Sequence, residues 1–385
     1  MQLNKVNEIN TTRVLQQIWL NGQTTRVAIA DELGLVKSTV SRIVTMLLDQ
    51  GVVRETAWEQ QKISVGRNPI RLEINDQYGI IIGLEMQTDF FNAVAITLTG
   101  AVLRTWSGPI AMSGKDSVTA FLEIMDRLDP WITGCEIPLI GVGVAVAGLI
   151  DQRRGAILQS NPLNVTDPVF FIDEVKKKVS FPVILENDAN CGCWGELAFR
   201  KTSRHHNFMF VLGEFRTGAT EDDVYWGIAV GLGLVLNGNV YHGASHSAGE
   251  FQSILWRPPN AGQFSISNEE ARRIKQDERV MATALHELCA HVAFLVNTLN
   301  LTNVVFGGEI TDYKDRLLPM LQSEIQKNWS YPNRVECSVD FSALNTNAVA
   351  YGAAGMFLEG IFSIPEMFVR SGTAGRLEIS VLGNR

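Results

Sequence analysis

The sequence predicts an α/β body of alternating strands and helices behind a small, mostly helical head. Three observations carry that expectation. The first 50 residues show apolar spacing of three and four with cap residues between the runs, a helical period. From Tyr78 onward, short apolar runs end in Gly-rich or polar turns and alternate with helical patterns, as in sheets that carry sites at strand ends. At 385 residues the chain is also too long for one core. The expected division is a head over residues 1–75 and a body over 76–385.

Composition narrows the class. Hydrophobic residues make up 46% and charged residues 19%, ordinary values for a globular protein. No uninterrupted apolar run reaches membrane-spanning length and the N-terminus has no apolar signal core, so a cytoplasmic protein without membrane contact is expected. Five scattered cysteines fit no disulfide framework. The net charge of −8 is unevenly spread. Residues 1–75 hold nine Lys/Arg against seven Asp/Glu, so the head is mildly basic and the rest acidic.

In the head, Val14, Leu15 and Ile18 line a first helix, with Asn10 or Thr11 as its expected cap and Gly22 as its stop. Thr24 and Thr25 offer caps for a second helix whose Val27, Ala30 and Leu33 share a face. Gly34 supplies a turn, Leu35 an inward anchor and Ser38 a cap for the third helix. That helix buries Val40, Ile43, Val44, Leu47 and Leu48. It leaves Lys37, Ser38, Thr39, Ser41, Arg42 and Thr45 on the other side, short or cationic hydrogen-bonding groups of the kind that meet base edges and phosphates in a major groove. A strand from Gly51 to Glu55 and a returning one from Ile70 to Ile74 frame a polar wing, completing a winged helix-turn-helix. Within the wing, Arg67 in Gly66-Arg67-Asn68-Pro69 is either a minor-groove contact or part of a plain turn. Operator DNA is the expected partner.

In the body, apolar strands are expected at 79–85, 92–98, 139–147 and 182–185. Helical patterns close the chain at 280–299, 316–326 and 347–359, the last rich in Ala and Gly. Residues beyond Phe362 suggest no role, and no internal repeat is evident.

Six segments then stand in a telling order: Gly141–Gly148, Ser160–Asn164, Glu186–Asn190, Gly231–Gly238, Gly243–Glu250 and Val305–Gly308. Together they resemble the ROK family (repressor, open reading frame, kinase). The resemblance implies a two-lobed actin/hexokinase-like, ribonuclease H-like ATPase, sugar-kinase fold around a sugar cleft. It also implies sugar contacts by Asn187, Asp188 and Glu250, with Asp188 at the position of the family's general base. Asp188 could also cap the helix that follows, and both roles can hold at once. Asn161 (with Asn164) and His246 are further cleft candidates, and Trp256 either stacks on a sugar or packs in the core.

The departures from the family pattern shape the functional expectation. The first phosphate loop reads Glu85-Met86-Gln87-Thr88-Asp89 where the family has Asp-x-Gly-Gly-Thr, so side chains occupy the space of phosphates. The second reads Gly227-Ile228-Ala229-Val230-Gly231, with isoleucine for threonine. Ser253 stands at the position of the family's zinc-site histidine, and Cys191 and Cys193, two apart on a helix, read as core residues. The expectation is a sugar-responsive transcriptional repressor, a homodimer or higher oligomer with a monosaccharide effector, no catalytic residues, no metal and no cofactor. The alternatives are a sugar kinase with residual phosphotransfer and a repressor controlled by a protein partner.

Overall fold

The computed structural model describes residues 2–56, 70–110, 115–200, 205–216, 227–342 and 345–362. The head comprises α1 (Gln2–Asn21), α2 (Arg26–Leu33), α3 (Lys37–Asp49), β1 (Val53–Thr56) and β2 (Arg71–Ile74). Next come β3 (Ile80–Met86), β4 (Phe90–Thr97), β5 (Val102–Pro109), α4 (Ser117–Gly134), β6 (Leu139–Val146), β7 (Leu149–Asp151), β8 (Ala156–Gln159), α5 (Phe171–Val175), β9 (Val183–Asn187) and α6 (Asp188–Phe199). The remainder is β10 (Phe208–Arg216), β11 (Gly227–Leu236), β12 (Asn239–Val240), α7 (Asn268–Arg272), α8 (Glu278–Leu299), β13 (Asn303–Gly307), α9 (Lys314–Lys327), β14 (Ser338–Phe341) and α10 (Ala348–Phe362).

The head folds around Val14, Leu15, Ile18 and Trp19 of α1, Ile29 and Ala30 of α2, and Val40, Ile43, Val44 and Leu47 of α3, all buried. Thr25 caps α2 by accepting from the Ala28 N–H, and Gly34 ends it in the left-handed region. Three local expectations are corrected. Asn10 and Thr11 lie inside α1, which begins well before them. Val27 is 51% exposed, because the short α2 turns Ile29 and Ala30 inward instead. Ser38 is within α3, whose cap position is Val36, with no side-chain cap bond. The hairpin pairs Val53 with Ile74 and Thr56 with Arg71, and Thr24 exchanges backbone bonds with Leu72 beside it. The wing, and with it Arg67, lies outside the described residues.

The body holds two five-stranded sheets, ordered β5-β4-β3-β6-β9 and β12-β11-β10-β13-β14. In each, three strands form an antiparallel meander and two more run parallel to the meander's first strand. The same topology therefore occurs twice, although no repeat shows in the sequence. Each sheet is followed by a helix, α6 after the first and α10 after the second, and these two pack on each other. Their contact is close because it is built from small residues. A Cβ on Gly352 would collide with the Cys191 carbonyl, and one on Gly355 would press on Ala198 and Trp194. Gly83 and Gly143 let β3 and β6 approach the backbone of α10 in the same way.

By length and apolar content α8 is a helix that could cross a membrane, but its apolar side is used within the protein. Val280, Ala284, Leu288, Val292 and Val296 are buried against the second sheet.

The head does not hang from a linker. Asn75 bonds to the Val52 carbonyl, and one apolar cluster includes Trp19, Val40 and Leu72 of the head with Ile81, Phe357 and Ile361 of the body. Trp19 stacks on Phe362 at the end of α10, ring centroids 4.7 Å apart and 13° from parallel.

Candidate functional site

Two places carry chemistry, the outer face of α3 and the region where the ends of the two sheets meet. On α3, Lys37, Ser38, Ser41, Arg42 and Thr45 are exposed and Thr39 half-buried. Spacings of four place Lys37, Ser41 and Thr45 along one side of the helix. Arg42 donates to the Asn7 side chain at 2.8 Å, so α1 holds that guanidinium at the helix surface. Val36, 70% exposed at the helix tip, had no place in the sequence reading. Its signal is a β-branched apolar residue where a cap is expected.

In the body, β9 delivers Glu186 and Asn187 and α6 begins at Asp188. Asn187, not Asp188, is the helix cap. Its Oδ1 accepts from the Asn190 N–H at 3.1 Å and its Nδ2 donates to the Gly148 carbonyl at 3.1 Å. Asp188 is buried, and burial raises its carboxyl above the usual range, while the Ala189 N–H and the nearby Arg216 charge oppose the rise. Glu250 faces it across β11. Gly231 bridges to Glu250 and also lies against Ala189, which a side chain on it would crowd, with Asp188 Oδ1 just beyond. Glu250 is exposed as a residue, and its carboxyl is raised by partial desolvation first and then by the Asp188 charge.

The other candidates fall around this pair without joining it. His246 has a positive φ of 58° and places Nε2 3.6 Å from Asp151 Oδ1. Asn161 is exposed on a turn anchored by Ser160 Oγ, which donates to the Ala147 carbonyl at 2.6 Å. Trp256 donates to the Asn260 carbonyl within its own loop. Ser253 is buried and accepts from the Leu255 N–H. Cys191 and Cys193 are both fully buried, and burial pushes their thiols up, which disfavours the thiolate a metal needs.

Glu186 and His242 also escaped the sequence reading as site residues. Glu186 is completely buried and accepts from the Asn187 N–H, Asn190 Nδ2 and Trp194 Nε1 at 2.8–3.2 Å. His242 Nε2 lies 3.0 Å from the same carboxylate and 2.6 Å from the Gln152 amide, which joins the loop after β12 to β7. The partners are 56 and 90 positions apart in the chain, so no local pattern announces them.

The turn after β3 is filled by its own side chains. Gln87 is fully buried, donates to Glu85 Oε1 at 3.0 Å and accepts from Arg216 Nη2 at 2.8 Å. Thr88 Oγ1 donates to the Pro162 carbonyl. Burial lifts the Glu85 carboxyl to about 7 despite hydrogen bonds from Asn92 and Gln87, and lifts Glu214 to about 8. Ile228 is buried in the core of the second sheet. The region thus offers carboxylate acceptors at one end, suited to hydroxyl donors, and a closed network at the other.

Comparison with known proteins agrees with this arrangement. Residues 132–262 match the ROK family and residues 8–54 match winged helix-turn-helix DNA-binding domains. The chain is 25% identical to the xylose repressor of Bacillus spizizenii over 94% of its own length and 98% of that protein. A crystal structure of a ROK family transcriptional regulator, described as a homologue of the E. coli MLC protein, superposes with a TM-score of 0.71 at 20% identity, covering 99% of this chain and 100% of that one. A Streptomyces griseus ROK family glucokinase, solved with glucose and AMPPNP, matches 72% of this chain and 99% of its own at 19% identity and a TM-score of 0.56. The glucokinase shares the fold of the body, and the regulator shares that of the whole chain.

Proposed function

The chain joins a ROK family domain to an N-terminal winged helix-turn-helix, and on that premise we propose that it is a sugar-responsive transcriptional repressor of a carbohydrate uptake or breakdown operon. The α3 face, with Lys37, Ser38, Thr39, Ser41, Arg42 and Thr45, reads operator DNA, and Arg67 in the wing is a further candidate contact. Asp188 and Glu250 accept hydrogen bonds from the hydroxyls of a monosaccharide, while Asn187 shapes the site by capping α6. D-xylose is the first effector to test, because relatives that align over nearly the whole chain are named xylose repressors. His246 and Asn161 are candidates for the rim of the pocket.

One observation carries this reading. The helix that starts at the sugar candidates, α6, packs on α10, and α10 ends stacked on Trp19 in the head. A ligand that favours one arrangement of the two lobes thereby has a packed route to the DNA-reading helices. In a dimer bound to two half-sites, a small change in head spacing costs affinity at both. Coupling of about 1–3 kcal/mol is typical of such systems.

We read the protein as non-catalytic, because the turn that would need small residues for nucleotide phosphates is packed with Gln87 and its partners. Thermal unfolding against D-xylose, other monosaccharides and ATP–Mg tests both statements. A sugar at 100 times its dissociation constant stabilises by about 2.7 kcal/mol, and that shift disappears in Asp188→Ala. ATP leaves the midpoint in place. Stabilisation by ATP with turnover dependent on Asp188 would make the protein a kinase.

A further inference from the structure

The carboxylates of the cleft, Glu85 and Asp188 buried and Glu214 half-buried, come from both halves of the body. Glu85 ends β3 and Asp188 starts α6 on the first sheet's side, while Glu214 lies on β10 of the second. Arg216 follows Glu214 by two positions, hence on the same face of β10. Its positive charge acts on all three carboxylates. Lys275, which lies over the Phe215 ring, is engaged by Glu309 at 3.1 Å, and Glu309 also accepts from the Phe215 N–H.

The hydrogen bonds run across the join. Arg216 Nη2 on the second sheet donates to Gln87 Oε1 at 2.8 Å, and Gln87 Nε2 donates to Glu85 Oε1 at 3.0 Å on the first. Glu85 Oε2 accepts from Asn92 Nδ2, which also donates to the Thr346 carbonyl just before α10. A buried amide with an acceptor facing a cation and a donor facing a carboxylate has one satisfied orientation. This chain of bonds is therefore a directional fastening between sheets.

We propose that Arg216 is a positioning residue of the sugar site: its guanidinium supplies the positive charge beside Asp188 and, through Gln87, fastens the two sheets in the arrangement that forms the pocket. The ligand in this proposal rests on the sugar-responsive reading above, whereas the fastening is a property of the unliganded protein. Asp188 faces Glu85 from β3, Gln87 from the following turn, Glu250 from the loop beyond β12 and Arg216 from β10. Among these Arg216 is the cation, so removing it leaves Asp188 among carboxylates, where protonation is favoured.

The test compares the full-length wild type with Arg216→Gln, Arg216→Lys and Gln87→Ala. D-xylose binding is titrated from weakly acidic to weakly alkaline pH, and amide hydrogen exchange is followed without sugar. Arg216→Gln should bind about tenfold more weakly at neutral pH, with its binding curve moved to higher pH. Arg216→Lys should restore the curve, which depends on charge, but not the exchange protection at Gln87–Phe90 and the end of β10, which depends on the bond. Gln87→Ala should lose that protection and move the curve in the same direction but less far than Arg216→Gln, because Gln87 also hydrogen-bonds Asp188 while the Arg216 charge stays in place. A variant that merely loosens the fold would lower the unfolding midpoint and leave the pH curve unmoved. An unmoved curve in Arg216→Gln therefore overturns the positioning role, and unchanged exchange overturns the fastening. If the wild type binds neither D-xylose, D-glucose nor N-acetyl-D-glucosamine, the sugar reading falls and the positioning role with it. The exchange result then still decides the fastening.

Discussion

Asp188 and Glu85 show what burial does to a carboxyl group, raising both above the ordinary carboxylate range. The folded-state value for Glu85 is about 7, against an ordinary 4.5, so the native state holds its proton where the unfolded chain has released it. Stability contributed this way is complete at acid pH and falls as pH rises from about 4.5 through 7. Glu85→Gln should flatten that part of the stability–pH profile, which urea unfolding at several pH values measures. Val36 is the second residue with a measurable consequence. At a cap position without a cap bond, Val36→Ser should raise head stability by about 1 kcal/mol, read from chemical denaturation. The sequence pointed to Asp188 through its Glu-Asn-Asp-Ala-Asn setting, but it did not show that Asn187 takes the capping role. Which of two adjacent polar residues caps a helix depends on the backbone angle at that step. Gln87 stood out as a side chain where the family has glycine, but its bond to Arg216 was out of reach, because 129 positions separate the two.

Helices α6 and α10 form the central contact of the body, and their composition explains it. Small residues at 348, 350, 352, 353 and 354 were visible in the sequence as a strip suited to close packing. The partner was not, since close approach is a property of two surfaces. Gly352→Ala should destabilise by about 1–3 kcal/mol by forcing a methyl group against the Cys191 carbonyl, seen as a lowered unfolding midpoint. The inward face of α3 was legible in the sequence, whereas the start of α1 was not. Periodicity fixes which residues face inward, as with Val40, Ile43, Val44 and Leu47, whereas helix starts depend on caps that local sequence leaves ambiguous. The doubled five-stranded topology lay beyond sequence reading because what repeats is hydrogen-bond order, with no matching side chains.

At the scale of the molecule, a winged helix-turn-helix head and a sugar-kinase-like body share one apolar cluster. That arrangement separates two properties that a single mutation can uncouple. Phe362→Leu keeps an apolar contact under Trp19 but loses the ring stack, so sugar binding should persist while the effect of sugar on DNA weakens. Calorimetry and DNA binding on the same preparation distinguish the two. The electrostatic contribution of the head should also be visible, since Lys37→Ala ought to reduce the dependence of log affinity on log salt by about one unit.

The most direct measurement is operator affinity with and without sugar. Fluorescence anisotropy of the full-length protein on a duplex selected from random sequence would be followed while D-xylose and other monosaccharides are added. The account predicts weaker DNA binding with one sugar, by about 5–150-fold, and no such change in Asp188→Ala. Tight, sequence-selective DNA binding that no monosaccharide alters would contradict it.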